Sequence, residues 1–155
     1  MKKFKIIASH DVDTKLLISL KKGLGKKYNI TKIDFREKKN VLEKIEDMDI
    51  FITKYYDLPY KFYSKLQNLK LIHLTTSDYS KINIKLAKKN KVKVANNQGA
   101  NSVSVAEHII MLVMIFYRNF LSQEIIVNKG RWNNLKHKNL ELFGKSIGIV
   151  GMGHV

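Results

Sequence analysis

The chain has no cysteine and a single proline in 155 residues. The first absence excludes disulfides and thiolate metal sites. It fits a reducing compartment, and a cytoplasmic location is expected. One proline beside a hydrophobic fraction of 45% argues against a disordered chain. Acidic side chains are scarce, 13 against 29 Lys and Arg, so the formal net charge is +16. Arginine is nearly missing from that excess: only Arg36, Arg118 and Arg131 occur. Arg is the usual reader of phosphate and guanine. The lysines fall in pairs, Lys2-Lys3, Lys21-Lys22, Lys26-Lys27, Lys38-Lys39 and Lys88-Lys89, at the ends of elements rather than along one helix face. They read as a solvated surface, and no nucleic-acid partner is expected. No run approaches the roughly 20 apolar residues of a membrane helix. The N-terminal apolar run is broken by Lys5 and ends at Ser9, so no secretion signal is read and no membrane partner is expected.

What is present is a regular alternation. Phe4–Ser9 is a short apolar run and reads as a strand. Thr14–Leu24 carries Leu16, Leu17 and Leu20 at helical spacing, with Gly23 and Gly25 to stop it. Tyr28–Phe35 alternates like a strand. Asn40 is placed to cap a helix through Met48, with Val41, Leu42 and Ile45 inward. Asp49–Thr53 is a third strand. Pro59 suits a first helical turn, with Tyr60, Tyr63 and Leu66 on one side. Leu69–Thr75 is a fourth strand. A helix over Ile82–Asn90 with Ile82, Leu86 and Ala87 inward leads to a fifth, Val92–Ala95. Strand and helix in turn, joined by short connections, predict a parallel sheet with helices on both faces. In such sheets ligands bind beyond the carboxyl ends of the strands. Those ends are His10–Asp13, Lys54–Asp57, Thr75–Tyr79 and Asn96–Gly99.

The second half is organised around Asn97–Phe120. Asn96, Asn97 and Gly99 supply turn chemistry. Ser104 and Glu107 stand three apart, the spacing of a capping box. From Ile109 to Tyr117 every residue is apolar or aromatic. A helix apolar all round must be covered all round, which places it in a domain junction or a subunit interface. Leu121–Asn128 continues as a second helix, stopped near Lys129-Gly130. Arg131–Phe143 is irregular, with Trp132 its one large anchor. Lys145–Val155 (KSIGIVGMGHV) then gives an apolar strand, Ser146–Val150, and a Gly-x-Gly turn at Gly151 and Gly153. These are the first two glycines of a dinucleotide-binding G-x-G-x-x-G; neither the third glycine nor a helix follows before Val155.

Three segments in order resemble the D-isomer-specific 2-hydroxyacid dehydrogenases. Asn96–Arg118 resembles that family's N-x-x-G-x-N-x-x-x-V-A-E-H segment and its long helix. Gly130-Arg131-Trp132 resembles a G-x-W element. Leu142–Val155 resembles the L-x-G-K-x-x-G-I-x-G-x-G opening of an NAD domain. The resemblance implies a flavodoxin-like substrate (catalytic) domain over residues 1–98, hinge and dimerisation helices over 99–144, and the start of a truncated Rossmann domain over 145–155. It implies hydride transfer between a small 2-hydroxy or 2-keto acid and NAD or NADP. It also implies a homodimer through the helix Ser104–Phe120. The family's acid/base histidine, its partner carboxylate and its substrate arginine lie beyond the Gly-x-Gly strand. No catalytic residue is therefore assigned, and the 155 residues alone are expected to be inactive.

Carried over by resemblance, Asn101 matches the asparagine near substrate and nicotinamide, and Gly151 and Gly153 match the pyrophosphate glycines. Thr75–Asn83 (TTSDYSKIN) aligns with a G-x-G-x-D-x-x-D stretch whose backbone N–H groups hold the substrate carboxylate. That makes Thr76, Ser77 and Asp78 substrate-binding candidates. Thr76 and Asp78 replace the glycines, and Ser80 and Asn83 the aspartates. An aspartate facing a carboxylate repels it, so a shifted alignment, another ligand or no ligand all stay open at this loop.

The remaining polar residues have plainer readings. Adjacent on a helix, Glu107 and His108 point about 100° apart and form no dyad; Glu107 reads as a cap and His108 as a buried helix residue. His10, Asp11 and Asp13 read as a polar loop, with a metal as the sharper reading, and no metal site is assigned. His73 reads as strand core and His154 as surface. One of Tyr55 and Tyr56 is a candidate wall of the substrate cleft. The rival to an enzyme is a non-enzymatic module that dimerises through the long helix.

Overall fold

The computed structural model describes residues 3–37, 41–63, 65–131 and 139–155. The chain separates into two compact units, Met1–Gln98 and Gly99–Val155.

The first unit is a parallel sheet of β1 (Phe4–Ser9), β2 (Tyr28–Ile33), β3 (Ile50–Thr53), β4 (Leu71–Leu74) and β5 (Lys93–Ala95), in the order β2-β1-β3-β4-β5. Every neighbouring pair is parallel, with Ile6 opposite both Ile30 and Ile50, and Ile72 opposite Phe51 and Val94. The central strands are buried on both faces, which is why they read as apolar runs rather than as alternation. On one face Ile7, Phe51, Ile72 and Leu74 pack with residues from α2 (Val41–Ile45), α3 (Tyr60–Tyr63) and α4 (Ile84–Lys89). On the other face Ile6, Ala8 and Ile52 pack with Leu17 of α1 (Thr14–Leu24). Asp13 starts α1 by accepting the Lys15 N–H at 2.7 Å, and Asn83 starts α4 by accepting the Leu86 N–H at 3.0 Å. At the amino ends of the strands the buried Asp49 carboxylate accepts the Lys5 N–H at 3.0 Å and meets the Lys70 ammonium at 3.3 Å.

Local predictions differ from this in several places. Gly23 lies inside α1; the break falls at Gly25, whose φ of 69° needs a residue without a Cβ. β2 ends at Ile33, and Phe35 is buried from a turn instead. Tyr60 is exposed while Tyr63 and Leu66 are buried, because α3 is a single turn. Asn40 and the side chain of Leu42 lie outside the described residues, as does Trp132.

The second unit holds α5 (Ser102–Tyr117) and α6 (Phe120–Asn128), broken at Asn119, which adopts a left-handed φ of 51°. The helix begins two residues before Ser104, so Ser104 and Glu107 form no capping box; Ser102 Oγ instead donates to the Gly99 carbonyl at 2.9 Å. Leu140 ties back through its N–H to the Tyr117 carbonyl at 2.9 Å. No residue of α5 or α6 is buried in the chain by itself, and Ile110 and Phe116 are 65% and 78% exposed. His108 is exposed too, against the buried position predicted for it. Among the described residues no single helix is long and apolar enough to cross a membrane; α5 and α6 reach that length and composition only as a pair bent by 62°. Ser146–Val150, predicted as a strand, pairs with nothing among the described residues and runs as irregular chain. A parallel strand takes its hydrogen bonds from neighbours, and among the described residues of the second unit no other strand forms.

Candidate functional site at the carboxyl ends of the strands

The order β2-β1-β3-β4-β5 reverses direction between β1 and β3, and open α/β sheets bind ligands outside the carboxyl ends at such a point. Two loops meet there, His10–Asp13 after β1 and Lys54–Asp57 after β3. The chain fills this position itself. The Asp11 carboxylate accepts the backbone N–H of Tyr55 at 2.7 Å, of Tyr56 at 3.0 Å and of Lys54 at 3.3 Å, and also the hydroxyl of buried Ser9. Partial burial pushes this carboxyl up, but the Ser9 hydroxyl and the three N–H groups outweigh it and hold it below the ordinary 3.8.

Beside it, His10 Nδ1 lies 3.6 Å from Asp34, whose carboxylate is chelated by the Arg36 guanidinium at 2.9 and 2.5 Å. Those Arg36 bonds hold Asp34 far below the usual carboxylate range. The His10 ring stands edge-on to Tyr56, which also packs on Phe35. Asp13 is spent on the start of α1. The His10–Asp13 loop is therefore a structural polar cluster, and among the described residues no three His, Cys, Asp or Glu gather as a metal site.

The next loop, after β4, is the one the sequence marks as substrate-binding. Its frame is tied down from both sides. Thr75 N–H donates to the Thr53 carbonyl at 2.9 Å, and Thr76 Oγ1 to the Lys54 carbonyl at 3.1 Å. From the β5 side, Asn97 N–H reaches the Thr76 carbonyl at 3.0 Å and Asn96 Nδ2 the Ser77 carbonyl at 2.7 Å. The backbone N–H groups of Thr76, Ser77 and Asp78 find no acceptor among the described residues. Asp78 turns onto its own loop: its carboxylate accepts the Ser80 N–H at 2.8 Å and the Ser80 hydroxyl at 3.1 Å. Those two bonds, with the nearby Lys81 charge, keep its carboxyl below the ordinary value. Thr76, Ser77 and Asp78 thus share one turn, with the first two held by their side chain or carbonyl and the third folded onto Ser80.

Two features escape a reading of the sequence. Tyr55 is half exposed and lies under two ammonium groups, Lys54 Nζ at 5.2 Å and Lys81 Nζ at 5.7 Å from the ring centre. Asp57 accepts the Tyr63 hydroxyl at 3.1 Å; burial raises its carboxyl above the ordinary value, with the N–H groups of Leu58 and Asn83 opposing. Tyr63 is pushed up in turn by burial and by the Asp57 charge. Lys81 and the Asn83 N–H reach these groups from another loop, and no local spacing signals them. His73, predicted as strand core, is half-buried on β4, and burial lowers its pKa. A cleft of about 340 Å³ opens between α4 and the β5 edge, walled by Ile84, Ala87, Val92 and Val94. Tyr79, Lys88, Asn96 and Gln98 complete its lining, and it gathers no acid/base pair.

In the second unit, Asn101 stands at the N-cap position of α5, and its side chain makes no capping hydrogen bond. Gly151 has a φ of 99°, a conformation that favours glycine, and a Cβ on Gly153 would meet nothing within 4 Å. His154 lies against Gly99, where an added Cβ would come within 3.3 Å of its ring.

The family profile of the D-isomer specific 2-hydroxyacid dehydrogenase catalytic domain matches residues 6–140. The chain belongs to this family. It is 29% identical over 119 residues to the D-3-phosphoglycerate dehydrogenase of Methanocaldococcus jannaschii, covering 76% of this chain and 23% of that protein. It is 38% identical over 120 residues to the mitochondrial formate dehydrogenase of Hordeum vulgare, covering 72% and 31%. Among solved structures, the NAD-dependent formate dehydrogenase of Staphylococcus aureus, in complex with NAD, matches with a TM-score of 0.65 and 26% identity over 84% of this chain and 42% of that one. The 2-hydroxyacid dehydrogenase of Ketogulonicigenium vulgare has the same fold, with a TM-score of 0.83 at 17% identity over 99% and 49%. The chain thus spans between about a quarter and a half of the length of these 2-hydroxyacid dehydrogenases. Members of the family are NAD-dependent oxidoreductases. Gly151, with its positive φ and open Cα, fits the close approach of a pyrophosphate to backbone.

Proposed function

We propose that this chain is the substrate-binding portion of an NAD-dependent oxidoreductase acting on the CH–OH group of a D-2-hydroxy acid. The observation that carries the reading is the Thr76–Asp78 turn. It offers backbone N–H groups at the carboxyl end of β4, while the neighbouring set after β3 is already closed by Asp11. A substrate carboxylate completes the open set, as the resemblance assigns to this loop. It exchanges water for charge-assisted hydrogen bonds and fixes the orientation of C2.

NAD, when bound, would supply the hydride acceptor for C2. Gly151 and Gly153 would hold its pyrophosphate, and Asn101, with its side chain free of a capping bond, would contact substrate and nicotinamide. The alcohol proton needs a base, and the carboxylates nearest the turn are both committed: Asp11 to three N–H groups and Asp78 to Ser80. The resemblance assigns that role to a histidine in a part of these relatives that the chain does not span. The exposed apolar surface of α5 is proposed to close a homodimer, and the protein is proposed to be cytoplasmic. A non-enzymatic dimerising module is the second reading, favoured only by that same exposed helix.

The test is hydride transfer. The full natural product, purified from its own cells and weighed, is given NAD and a panel of D-2-hydroxy acids while NADH absorbance is followed. Turnover with a D- but not an L-acid supports the proposal. A natural product that ends at Val155 and forms no NADH leaves the binding module.

A further inference from the structure

Lysine pairs that look scattered along the sequence are brought together by the topology. In a parallel sheet each connecting helix runs back against the strands, so helix carboxyl ends and strand amino ends meet at one pole. Lysines suit the last turn of a helix, and here they close α1 (Lys21, Lys22) and α4 (Lys88, Lys89). Lys26 and Lys27 then lead into β2, and Lys91 and Lys93 flank the start of β5. All of these side chains are exposed. No acidic residue stands between Thr14 and Ile33, or between Tyr79 and Ala106. Because β2 and β5 are the two edges of the sheet, the basic clusters occupy opposite corners of one pole, four strand spacings or about 19 Å apart. Main-chain bonds run between the corners: Asp49 N–H donates to the Lys5 carbonyl at 2.9 Å, Lys70 N–H to Asp49 at 2.8 Å and Lys93 N–H to Lys70 at 2.9 Å.

The acids of this pole, Glu46, Asp47 and Asp49, all precede the central strand β3. They cancel three lysines, and Asp49 already meets Lys70 at 3.3 Å. Each edge lies two strands from β3, about 10 Å, which exceeds the Debye length of about 8 Å at physiological salt. The carboxyl ends, by contrast, mix Asp11, Asp13, Asp34, Asp57 and Asp78 with their cations. The charge excess of the first unit therefore gathers at the pole away from the Thr76–Asp78 turn. Two aromatic rings stand in it. Phe4 opens β1, and Tyr28 opens β2 directly after Lys27. Their rings stack at 5.5 Å and 22°, and Lys70 Nζ lies 5.3 Å from the Phe4 ring centre. Both rings are half-buried, and no further strand covers Tyr28 on its outer side.

We propose that this pole binds single-stranded RNA through its phosphate backbone, with an unpaired base stacked at Tyr28. Lysine meets phosphate as a point charge. Protein interfaces are instead enriched in Arg and depleted in Lys, and Arg36, the one arginine of the first unit, lies at the other end on Asp34. A helix seated on a membrane keeps its apolar side chains on one face. The exposed Leu16 and Ile18 of α1 stand on opposite flanks, about 160° apart around the helix. Binders of single strands combine a basic track with aromatic platforms, as the lysines and Tyr28 do here, and RNA is the nucleic acid a cell keeps single-stranded. In sequence these lysines read as a solvated surface, because the pole that joins them exists only in the fold. The proposal does not depend on the dehydrogenase reading.

The full natural product, titrated into a fluorescein-labelled RNA single strand of about 20 nucleotides, tests this by anisotropy. Four engaged lysines give a slope of log affinity on log salt of about −3, a loss of roughly fifty-fold between about 50 and 200 mM salt. The quadruple variant Lys21→Gln, Lys22→Gln, Lys26→Gln, Lys27→Gln should weaken binding by at least about tenfold at low salt and flatten the slope. Lys88→Gln, Lys89→Gln, Lys91→Gln, Lys93→Gln should do the same at the other corner, so either edge carries the comparison if the other variant does not fold. At the carboxyl ends, Lys15→Gln, Lys54→Gln, Lys81→Gln, Lys85→Gln removes the same charge and should weaken binding by less than about threefold. Tyr28→Leu keeps apolar packing and should weaken the single strand by about fivefold or more, the scale of one base–aromatic stack, while an RNA duplex binds it as it binds the wild type. Circular dichroism melts check that each variant is folded. No binding at low salt, an equal loss in the carboxyl-end variant, or tighter binding of the duplex or of phosphatidylserine vesicles overturns the proposal.

Discussion

The Asp11 carboxylate accepts the backbone N–H of Tyr55 at 2.7 Å across 44 positions of sequence. With Tyr56 and Lys54 it completes a ring of donors that an external anion would otherwise occupy. Asp11→Ala should strip these donors and destabilise the first unit by about 2 kcal/mol, the range of charge-assisted hydrogen bonds. The pH dependence has a definite sign. The folded carboxyl lies below its unfolded value of 3.8, so its contribution is complete above that value and fades as pH falls through the folded one. Urea unfolding between pH 2 and 6, monitored by circular dichroism, should show a larger acid-side loss in the wild type than in Asp11→Asn, in which the lowered carboxyls of Asp34 and Asp78 remain (window set by the ordinary carboxylate range, roughly pH 2–6). The same slope in both proteins would rule out the ring as its source.

Asp57 should behave in the opposite sense. Burial raises its folded carboxyl above the ordinary value, so the native state binds the proton more tightly than the unfolded chain. Its contribution is present below pH 3.8 and is lost as pH rises through the raised folded value. Asp57→Asn keeps an oxygen for the Tyr63 hydroxyl and removes the titration. Its stability should gain on the wild type as pH rises from 4 to 7, a roughly carboxylate-range window. A constant difference between the two proteins across that range would contradict it.

The ends of Asp49 are unequal. Its carboxylate is buried and accepts the Lys5 N–H, while the Lys70 side chain opposite is 66% exposed. Asp49→Ala leaves a buried donor unpaired and should cost about 1–3 kcal/mol. Lys70→Ala removes only an exposed partner and should cost less than about 1 kcal/mol. Thermal unfolding of the two variants measures the difference. Equal losses would mean that the ion pair, not the backbone bond, carries the energy.

How much of this was legible in sequence follows from what each feature depends on. The strand–helix alternation was readable because each parallel strand is buried on both faces and therefore written as a local apolar run, as in FKIIAS. The Gly151 turn and the long apolar helix were readable for the same reason: one residue type or one run carries the signal. Ser146–Val150 has a strand's composition but pairs with nothing among the described residues, and composition alone does not signal a partner. The Ser104–Glu107 spacing fits a capping box, but the turn at Gly99 starts the helix two residues earlier. The roles of Asp11 and of Lys81 over Tyr55 depend on loops brought together from distant positions, and nothing in their neighbours announces them.

The apolar girth of α5 makes its own prediction. Phe116 and Ile110 are 78% and 65% exposed in the single chain, an arrangement that water disfavours by roughly 1.5–3 kcal/mol per large side chain relative to burial. Sedimentation should find the wild-type chain paired at micromolar concentration, and Ile110→Asp with Phe116→Asp monomeric and still folded. A wild type that stays monomeric would leave the helix to be covered by another part of a longer protein.

Asp78 gives the sharpest check on the proposed carboxylate site. Its charge sits on the turn that is to receive an anion, held there by the Ser80 N–H at 2.8 Å and hydroxyl at 3.1 Å. Asp78→Asn keeps one oxygen for the Ser80 N–H, turns an amide N–H towards the Ser80 hydroxyl oxygen, and removes the charge. If a carboxylate binds at Thr76 and Ser77, removing this like charge should tighten D-lactate binding by up to about fivefold, the scale of one exposed charge pair of at most about 1 kcal/mol. The gain should shrink at high salt, where exposed charges are screened. A variant that binds no more tightly at low salt would place the carboxylate away from this turn. The aspartate that breaks the family's glycine pattern would then mark a loop that has changed its ligand.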